Sequence, residues 1–179
     1  DRAIQKLAKK EGYLRKSDFL YQFYHPPNVR LGVLWSSGKD SAFAAWTMKK
    51  QNYDISCLIS IKSKNPDSYM FHTPTIDLAK LQADSIGIPL IIQETQGEKE
   101  KELKDLEIAI TKAKNKYSIQ GIVTGAIFSN YQRSRIEKIC DKLELKIFSP
   151  LWHIDQETEM REILNKGFKF IITKIAAYG

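Results

Sequence analysis

The architecture of this chain follows from one segment, Leu31-Gly32-Val33-Leu34-Trp35-Ser36-Ser37-Gly38-Lys39-Asp40-Ser41, in which a short apolar run leads into a small, hydroxyl-rich turn. Five consecutive residues without polar alternation are typical of a strand buried on both faces of a sheet. A helix that begins near Asp40 directs its positive N-terminal end and its backbone N–H groups at this turn, and Lys39 adds a full positive charge. The turn therefore predicts an anion site, and phosphate is the anion that suits it.

Similar apolar runs, rich in Val and Ile, recur along the rest of the chain. They are Ile55–Ile61, Pro89–Gln93, Gly121–Thr124, Lys146–Phe148 and Phe168–Ile175. Between them, apolar residues recur at helical spacing, as in the stripe Leu103, Leu106, Ile110, Ala113 and Tyr117. This alternation predicts an α/β fold with a parallel sheet of about five strands and helices on both faces. Ligands of such sheets bind at the carboxyl ends of strands, where the turn at residues 36–41 lies.

Residues 1–28 do not share the alternation. Ile4, Leu7 and Ala8 indicate one short helix, and Ser17-Asp18 could begin a second. His25-Pro26-Pro27 then breaks the pattern. We expect a short N-terminal helical extension over residues 1–28 and one domain over residues 29–179.

Charge and composition limit the classes of function. The formal net charge is +7, but residues 1–50 carry ten Lys and Arg against four Asp and Glu, and the remaining residues carry eighteen against seventeen. Because the excess is confined to the front of the chain, nucleic-acid binding is not expected. No apolar run approaches the roughly 20 residues of a membrane span. Cys57 and Cys140 both lie in apolar patterns, which favours a reducing cytoplasmic location over a disulfide scaffold.

The turn at residues 36–41 does not match the Walker A loop, a common phosphate-binding motif. Five residues separate Gly32 from Gly38, whereas four residues separate the two glycines of a Walker A loop. Lys39 is followed by Asp40, whereas the lysine of a Walker A loop is followed by Ser or Thr. The sequence Ser-Ser-Gly-Lys-Asp-Ser instead resembles the PP-loop of the ATP pyrophosphatases, whose usual form is Ser-Gly-Gly-Lys-Asp-Ser. That resemblance implies an adenine nucleotide alpha hydrolase-like fold and cleavage of ATP between its α and β phosphates. It also assigns ATP binding to Ser36, Ser37, Gly38, Lys39, Asp40 and Ser41.

Within that loop, the resemblance gives Lys39 and Asp40 catalytic roles, and we expect Asp40 to be a ligand for Mg2+. The departure from the usual form is Ser37, which stands where the family usually has glycine. A serine fits at this position if its backbone does not need a positive φ.

Three further motifs, in order, look like those of the diphthine–ammonia ligase family. They are Asn-Pro-Asp-Ser-Tyr-Met-Phe-His at residues 65–72, Gly-Ala-Ile-Phe-Ser-Asn-Tyr-Gln-Arg-Ser-Arg-Ile-Glu at residues 125–137, and Pro-Leu-Trp at residues 150–152. In that family ATP activates the carboxylate of diphthine, a modified histidine of translation elongation factor 2, and ammonia completes the amide. The resemblance covers residues 30–179, and the Gly- and Glu-rich segment that usually follows in the family is expected to be absent. It implies ATP and Mg2+ as cofactors, and diphthine-bearing elongation factor 2 and ammonium as partners.

The motifs supply the remaining candidate residues. Gly125 and Ala126 follow a predicted strand and are expected beside the first loop, where small residues let the backbone approach ATP. Tyr131 and Arg135 are four residues apart on the next helix, away from its core stripe, so they suit a phosphate or the diphthine side chain, although a solvated helix face stays an alternative. Arg135 is also a catalytic candidate. The predicted substrate-binding residues are Tyr69, His72, Ser129, Tyr131, Gln132, Arg135 and Glu137.

Two other functions share the first loop. One is a PP-loop enzyme that modifies tRNA, which usually carries catalytic cysteines or a basic RNA-binding domain. The other is a non-catalytic module that binds ATP or AMP. A module leaves ATP intact, whereas a ligase makes AMP only when its acceptor is present.

Overall fold

The computed structural model describes residues 5–6, 9–10, 29–65, 76–98, 101–126 and 130–172. Residues 5–6 and 9–10 are helical, and the rest of the predicted extension over residues 1–28 lies outside the described residues. The elements of the domain are, in chain order, β1 (Arg30–Leu34), α1 (Lys39–Lys50), β2 (Asp54–Ser63), α2 (Ile76–Ile86), β3 (Leu90–Thr95), α3 (Lys101–Tyr117), β4 (Gly121–Val123), α4 (Asn130–Lys142), β5 (Lys146–Phe148) and α5 (Gln156–Asn165).

The five strands form one sheet in the order β3-β2-β1-β4-β5. Every neighbouring pair is parallel, with Leu31 opposite both Ile55 of β2 and Gly121 of β4. The prediction of a parallel sheet of about five strands is therefore confirmed. The order also reverses between β1 and β4, because the chain first builds outward to β3 and then returns past β1. This reversal opens a crevice at the carboxyl ends of the two strands.

Helices cover both faces of the sheet, as the apolar stripes predict. On one face, Phe43 of α1, Ala79 of α2 and Ile163 of α5 join one buried cluster. On the other face, Leu106 of α3 and Ile136 of α4 join a second cluster, which also takes in both cysteines. Successive strand residues point alternately into the two clusters, so the sheet is apolar on both sides. None of the described helices is both long and apolar enough to cross a bilayer.

The sixth apolar run, Phe168–Ile175, is not a strand where the structure describes it. Residues 168–172 have no regular secondary structure, and residues 173–175 lie outside the described residues. Phe168 packs edge-on against Phe43 and Trp46 of α1, with ring centroids 5.7 and 6.0 Å apart. Ile171 is 88% exposed. Over residues 168–172 the run therefore packs an aromatic side chain against α1 and does not pair with a strand of the sheet.

Candidate functional site

The loops that follow β1 and β4 meet in the crevice between these strands. A Cβ atom added to Gly125 would lie 2.8 Å from the carbonyl carbon of Asp40 and 2.8 Å from the backbone nitrogen of Ser41. Real Cβ atoms do not approach backbone this closely, so only glycine fits at residue 125. Ala126 is fixed one residue further on, where its N–H donates to the Thr124 hydroxyl at 3.2 Å. The structure thus brings Gly125 to the first turn of α1, and Ala126 follows it in the same loop.

The loop at residues 36–41 is tied together by its own serines. The Ser41 hydroxyl donates to the Gly38 carbonyl at 3.0 Å and accepts the Ser36 backbone N–H at 3.3 Å. Gly38 is the N-cap of α1 and makes no side-chain cap hydrogen bond. The first-turn amides of α1 therefore meet no side-chain acceptor from their cap residue, and they add to the positive potential of the helix terminus. This is the arrangement that binds anions at helix N-termini.

The backbone of Ser37 does have the positive φ that a serine disfavours. Its φ is +63°, inside the left-handed region, where a Cβ crowds the following carbonyl. Its hydroxyl is also buried without a hydrogen-bond partner among the described residues. This conformation occurs where the chain turns from the end of β1 at Leu34 to the start of α1 at Lys39. The same conformation explains why glycine is the usual residue at this position of the loop.

A residue from a distant helix holds Ser37 in place. The side-chain amide of Gln82, on α2, donates to the Ser37 carbonyl at 3.2 Å. Its oxygen accepts the indole N–H of Trp35, the residue after β1, at 2.9 Å. The Ser60 hydroxyl of β2 in turn donates to the Trp35 carbonyl at 2.7 Å. Gln82 could not be predicted from the sequence motifs, because it lies on a helix that carries none of them.

The loop lysine faces two carboxyl groups. The Lys39 ammonium contacts the neighbouring Asp40 carboxylate and lies 3.5 Å from Oε2 of Glu159, on α5. Lys39 and Asp40 are partly exposed, whereas Glu159 is only 2% exposed. Burial, with the nearby Asp40 charge, raises the pKa of the Glu159 carboxyl to about 7, and the Lys39 charge opposes that shift. A buried carboxyl group therefore lies next to Lys39, the lysine of the predicted phosphate site.

Sequence reasoning missed Glu159. An acidic residue in the first turn of a helix normally interacts with the helix dipole in water, and Glu157 is such a residue here. A signal was nevertheless present, because Glu159 lies four residues before Ile163 and so shares the face that α5 buries. A carboxylate on a buried helix face needs a partner, and its partner is Lys39.

Helix α4 presents the predicted acceptor-side residues near its start. The Arg135 guanidinium stacks over the Tyr131 ring at 3.4 Å, and one of its nitrogens donates to the Tyr131 carbonyl at 3.5 Å. The pairing of these residues on one helix face agrees with their spacing. Glu137 binds Arg133 at 2.6 Å, and Arg133 also lies over Trp152 at 4.5 Å. Glu137 is thus engaged in an ion pair within α4.

Several candidates are not brought to the crevice by any described contact. Tyr69, His72 and Ser129 lie outside the described residues. Gln132 lies on α4 beside Tyr131, half-buried. No group of three or more potential metal ligands occurs in the part of the chain that the structure describes. The ligand roles of all the candidate residues stay predictions.

Residues 29–147 match the family model of the diphthamide synthase N-terminal domain. The chain belongs to this family. The matched range begins just before β1 and ends in β5, so it contains both loops of the crevice. Membership confirms the family that the residue motifs predict.

Proteins named diphthine–ammonia ligase are similar to this member of the diphthamide synthase family over most of its length. The mouse (Mus musculus) protein is 31% identical over 169 residues, which are 84% of this chain and 63% of that protein. The zebrafish (Danio rerio) protein is 30% identical over 84% of this chain and 66% of that protein. The Saccharomyces cerevisiae protein is 32% identical over 82% of this chain and 26% of its own length. The chain therefore spans slightly less than two thirds of the vertebrate relatives.

Two solved structures show the same fold as this diphthamide synthase family member. A predicted subunit of tRNA methyltransferase from Methanocaldococcus jannaschii has a TM-score of 0.52 at 20% identity and covers 83% of this chain and 81% of that chain. The U34-tRNA thiolase NcsA from Methanococcus maripaludis, with its [4Fe-4S] cluster, has a TM-score of 0.54 at 16% identity. The match covers 94% of this chain and 67% of that chain. At such identities the likeness concerns the α/β architecture alone, and it confirms the predicted α/β fold.

Proposed function

We propose that this chain binds ATP and uses it to amidate diphthine on translation elongation factor 2, as a cytoplasmic diphthine–ammonia ligase. The observation that carries the proposal is the loop at residues 36–41, which lies at the switch point of the sheet in a chain of the diphthamide synthase family. Relatives that share about 30% of its residues bear the ligase name. Fold alone implies no activity, so the argument rests on the site and the family.

The crevice supports a nucleotide with its phosphates at the start of α1. The first-turn amides and the Lys39 ammonium supply positive charge there, and the glycine at residue 125 lets the second loop lie against the same turn. Lys39 has a flexible stem and is partly exposed, so its ammonium can leave the carboxylates and bind phosphate. We assign the triphosphate to Ser36, Ser37, Gly38, Lys39, Asp40 and Ser41.

The same turn fits a magnesium ion. Asp40 offers carboxylate oxygens beside the proposed triphosphate, and Mg2+ in nucleotide sites is held by one or two carboxylates together with phosphate oxygens. The Lys39 ammonium already lies against Asp40, which shows that the position accommodates a positive charge. When bound, Mg2+ supplies charge that stabilises the departing pyrophosphate. Lys39 supplies the same kind of stabilisation from the chain itself.

The proposed reaction has two steps. The diphthine carboxylate attacks the α phosphorus of ATP, a carboxyl oxygen–phosphorus bond forms, and pyrophosphate leaves as the α–β bridge breaks. Ammonia then attacks the acyl carbon, AMP leaves, and the amide remains. Arg135, stacked on Tyr131 at the start of α4, is the candidate that positions the carboxylate or the adenylate. Little proton transfer is left for the protein, whose main task is to orient and to stabilise charge.

The cysteines argue against the tRNA thiolation alternative. Cys57 and Cys140 are fully buried, and burial raises the pKa of each thiol to about 12. A thiol with such a pKa carries almost no thiolate at neutral pH and is a poor nucleophile. Neither described cysteine therefore fits a catalytic role, and the observation favours the ligase over a thiolase.

The deciding experiment identifies the nucleotide products. The chain is incubated with ATP and Mg2+, with and without diphthine-bearing elongation factor 2 and ammonium, and nucleotides are separated by chromatography. We expect AMP and pyrophosphate in equal amounts, and only when the acceptor is present. ADP and phosphate as the coupled products contradict the proposed mechanism. ATP that binds but stays intact with every substrate supplied indicates the non-catalytic module instead.

Binding can be tested apart from turnover. Replacing Lys39 by Ala removes a charge-assisted contact to phosphate, which is worth about 1.5–3 kcal/mol. We expect ATP affinity in calorimetry to fall about ten- to a hundredfold. Lys49→Ala is the matched control, because Lys49 lies exposed in the last turn of the same helix. Equal ATP affinity in folded Lys39→Ala and the parent rules out the phosphate role.

A further inference from the structure

Two carboxyl groups beside Lys39 reduce the positive charge of the proposed anion site. When all three groups are ionised, one ammonium faces two carboxylates, Asp40 and Glu159, so the cluster carries one net negative charge. An additional phosphate would meet this excess at close range, and such repulsion is strong where water is excluded. A further positive charge at the cluster would therefore strengthen the binding of a triphosphate.

Glu159 is incompletely satisfied in its buried position. Its Oε2 atom has Lys39 at 3.5 Å. Its Oε1 atom is fully buried and has no hydrogen-bond partner among the described residues. Leaving a buried carboxylate oxygen unpaired is costly, so such an atom in a native structure calls for a specific partner, of which a bound ion is one. Because Oε1 belongs to the carboxyl group that contacts Lys39, it lies at the same cluster.

We propose that Asp40 and Glu159 together form a divalent-cation site of two carboxylates, one from the loop and one from α5, in which the Lys39 ammonium stands in for the metal ion until nucleotide binds. The inference rests on the proposed function and adds to it a ligand from outside the loop. Phosphate draws Lys39 away from the carboxylates, and the cation takes the place that the ammonium leaves. The site then accepts the metal complex of the triphosphate rather than free ATP.

The surroundings of the cluster fit a hard cation such as Mg2+ or Mn2+. Carboxylate oxygens are the ligands that these ions prefer. On the outer side of the cluster the side chains of Lys39 and Asp40 are 27% and 38% exposed, so water and phosphate oxygens can complete the coordination. On the inner side α5 is fixed by Ile163, which is fully buried in the core. Glu159 therefore offers its oxygens from a rigid wall of the crevice.

The test uses Mn2+ alone, followed by electron paramagnetic resonance of the free ion, on nucleotide-free protein. Three chains are compared: the parent, Glu159→Gln, and the control Glu157→Gln, which loses the same charge from an exposed position of α5. We expect Glu159→Gln to bind Mn2+ at least tenfold more weakly, since it loses a charged ligand, and Glu157→Gln to match the parent. Equal affinity in the parent and Glu159→Gln, or no Mn2+ binding by either the nucleotide-free parent or a chain in which Lys39 is replaced by Met, overturns the proposal.

A fourth variant separates a metal site from a merely structural ion pair. Lys39→Met removes the competing ammonium, so we expect it to bind Mn2+ more tightly than the parent in the absence of nucleotide. Weaker or unchanged Mn2+ binding by folded Lys39→Met also overturns the proposal. Circular dichroism establishes that each variant is folded before titration.

The outcome is distinguishable from a failure of the proposed function. If ATP binds to the parent but Glu159→Gln leaves Mn2+ binding unchanged, the ligase proposal stands and the two-carboxylate site fails. If Mn2+ binds as expected but ATP does not bind under any condition, the metal site stands and the proposed function fails.

Discussion

Replacing Ser37 by glycine should make the folded chain more stable. Ser37 has a φ of +63° and a buried hydroxyl without a hydrogen-bond partner among the described residues. Glycine has no Cβ and adopts this backbone conformation without strain. It also removes the unsatisfied hydroxyl. The two penalties that the serine carries are therefore both relieved by one substitution.

The expected gain follows from three terms. A Cβ in the left-handed region costs about 1–2 kcal/mol, and a buried unsatisfied hydroxyl costs about 1–3 kcal/mol. Glycine offsets part of the gain by about 0.5–1 kcal/mol, because the unfolded chain has more backbone freedom at a glycine, and this freedom is lost on folding. Since Ser37 as a whole is only half-buried, we take the lower part of the hydroxyl range. The net gain is about 1–2 kcal/mol, or roughly 2–8 °C in Tm for a chain of this size.

Thermal unfolding followed by circular dichroism measures the change. The control is Asn52→Gly, because Asn52 has a similar φ of +62° but is exposed, in the turn after α1. Asparagine tolerates this conformation better than serine, so the control should gain little. A Tm for Ser37→Gly that is lower than the parent's, or a gain no larger than that of Asn52→Gly, refutes the reasoning.

Three further predictions test other parts of the crevice. Arg135→Ala should leave ATP affinity within about threefold of the parent while turnover with diphthine-bearing elongation factor 2 falls at least tenfold, because we propose that the guanidinium positions the acceptor. An equal loss of ATP binding in calorimetry instead assigns Arg135 to the nucleotide. Gly125→Ala should lower the free energy of unfolding in urea by about 1–3 kcal/mol, since its Cβ collides with the Asp40 backbone; unchanged stability contradicts the close approach. In EDTA, the free energy of unfolding should fall by at most about 3 kcal/mol as pH rises from about 4.5 to about 7. The reason is that the raised pKa of Glu159 keeps a proton on the folded chain that the unfolded chain has already released. Glu159→Gln should flatten this slope, and a free energy of unfolding that rises over the same range in the parent contradicts the assignment.

The sheet could be predicted because its signals are local. A strand buried on both faces needs an apolar run of only a few residues, and all five such strands end within two residues of the predicted bounds. Their parallel arrangement follows from the intervening helices, since a crossover of that length returns the chain to the same edge. The run at residues 168–175 has the same composition, yet in its described part its aromatic side chain packs on α1. Composition alone does not distinguish a strand from a stretch that packs without pairing.

The site was predicted as far as its chemistry is local. Lys39, Asp40 and the small residues of the loop are adjacent in sequence, so their role as an anion site could be inferred from spacing. Glu159 lies 120 positions after Lys39, and only the folding of α5 onto α1 brings the two charges together. The sign of the charge at the cluster therefore depends on tertiary structure, which the loop sequence does not contain.

The conformation of the loop is also imposed from a distance. Gln82 donates to the Ser37 carbonyl and accepts from the Trp35 indole, so the indole N–H fixes which end of the amide faces the loop. A strained backbone persists only where its surroundings over-determine it, and here two hydrogen bonds from α2 and the contact with Gly125 do so from separate elements. A serine can occupy a position that favours glycine because the sheet and α2 hold the turn in shape, and the strain that results lies at the point where a phosphate is proposed to bind. The loop sequence specifies the donors of the site, whereas the fold determines their geometry.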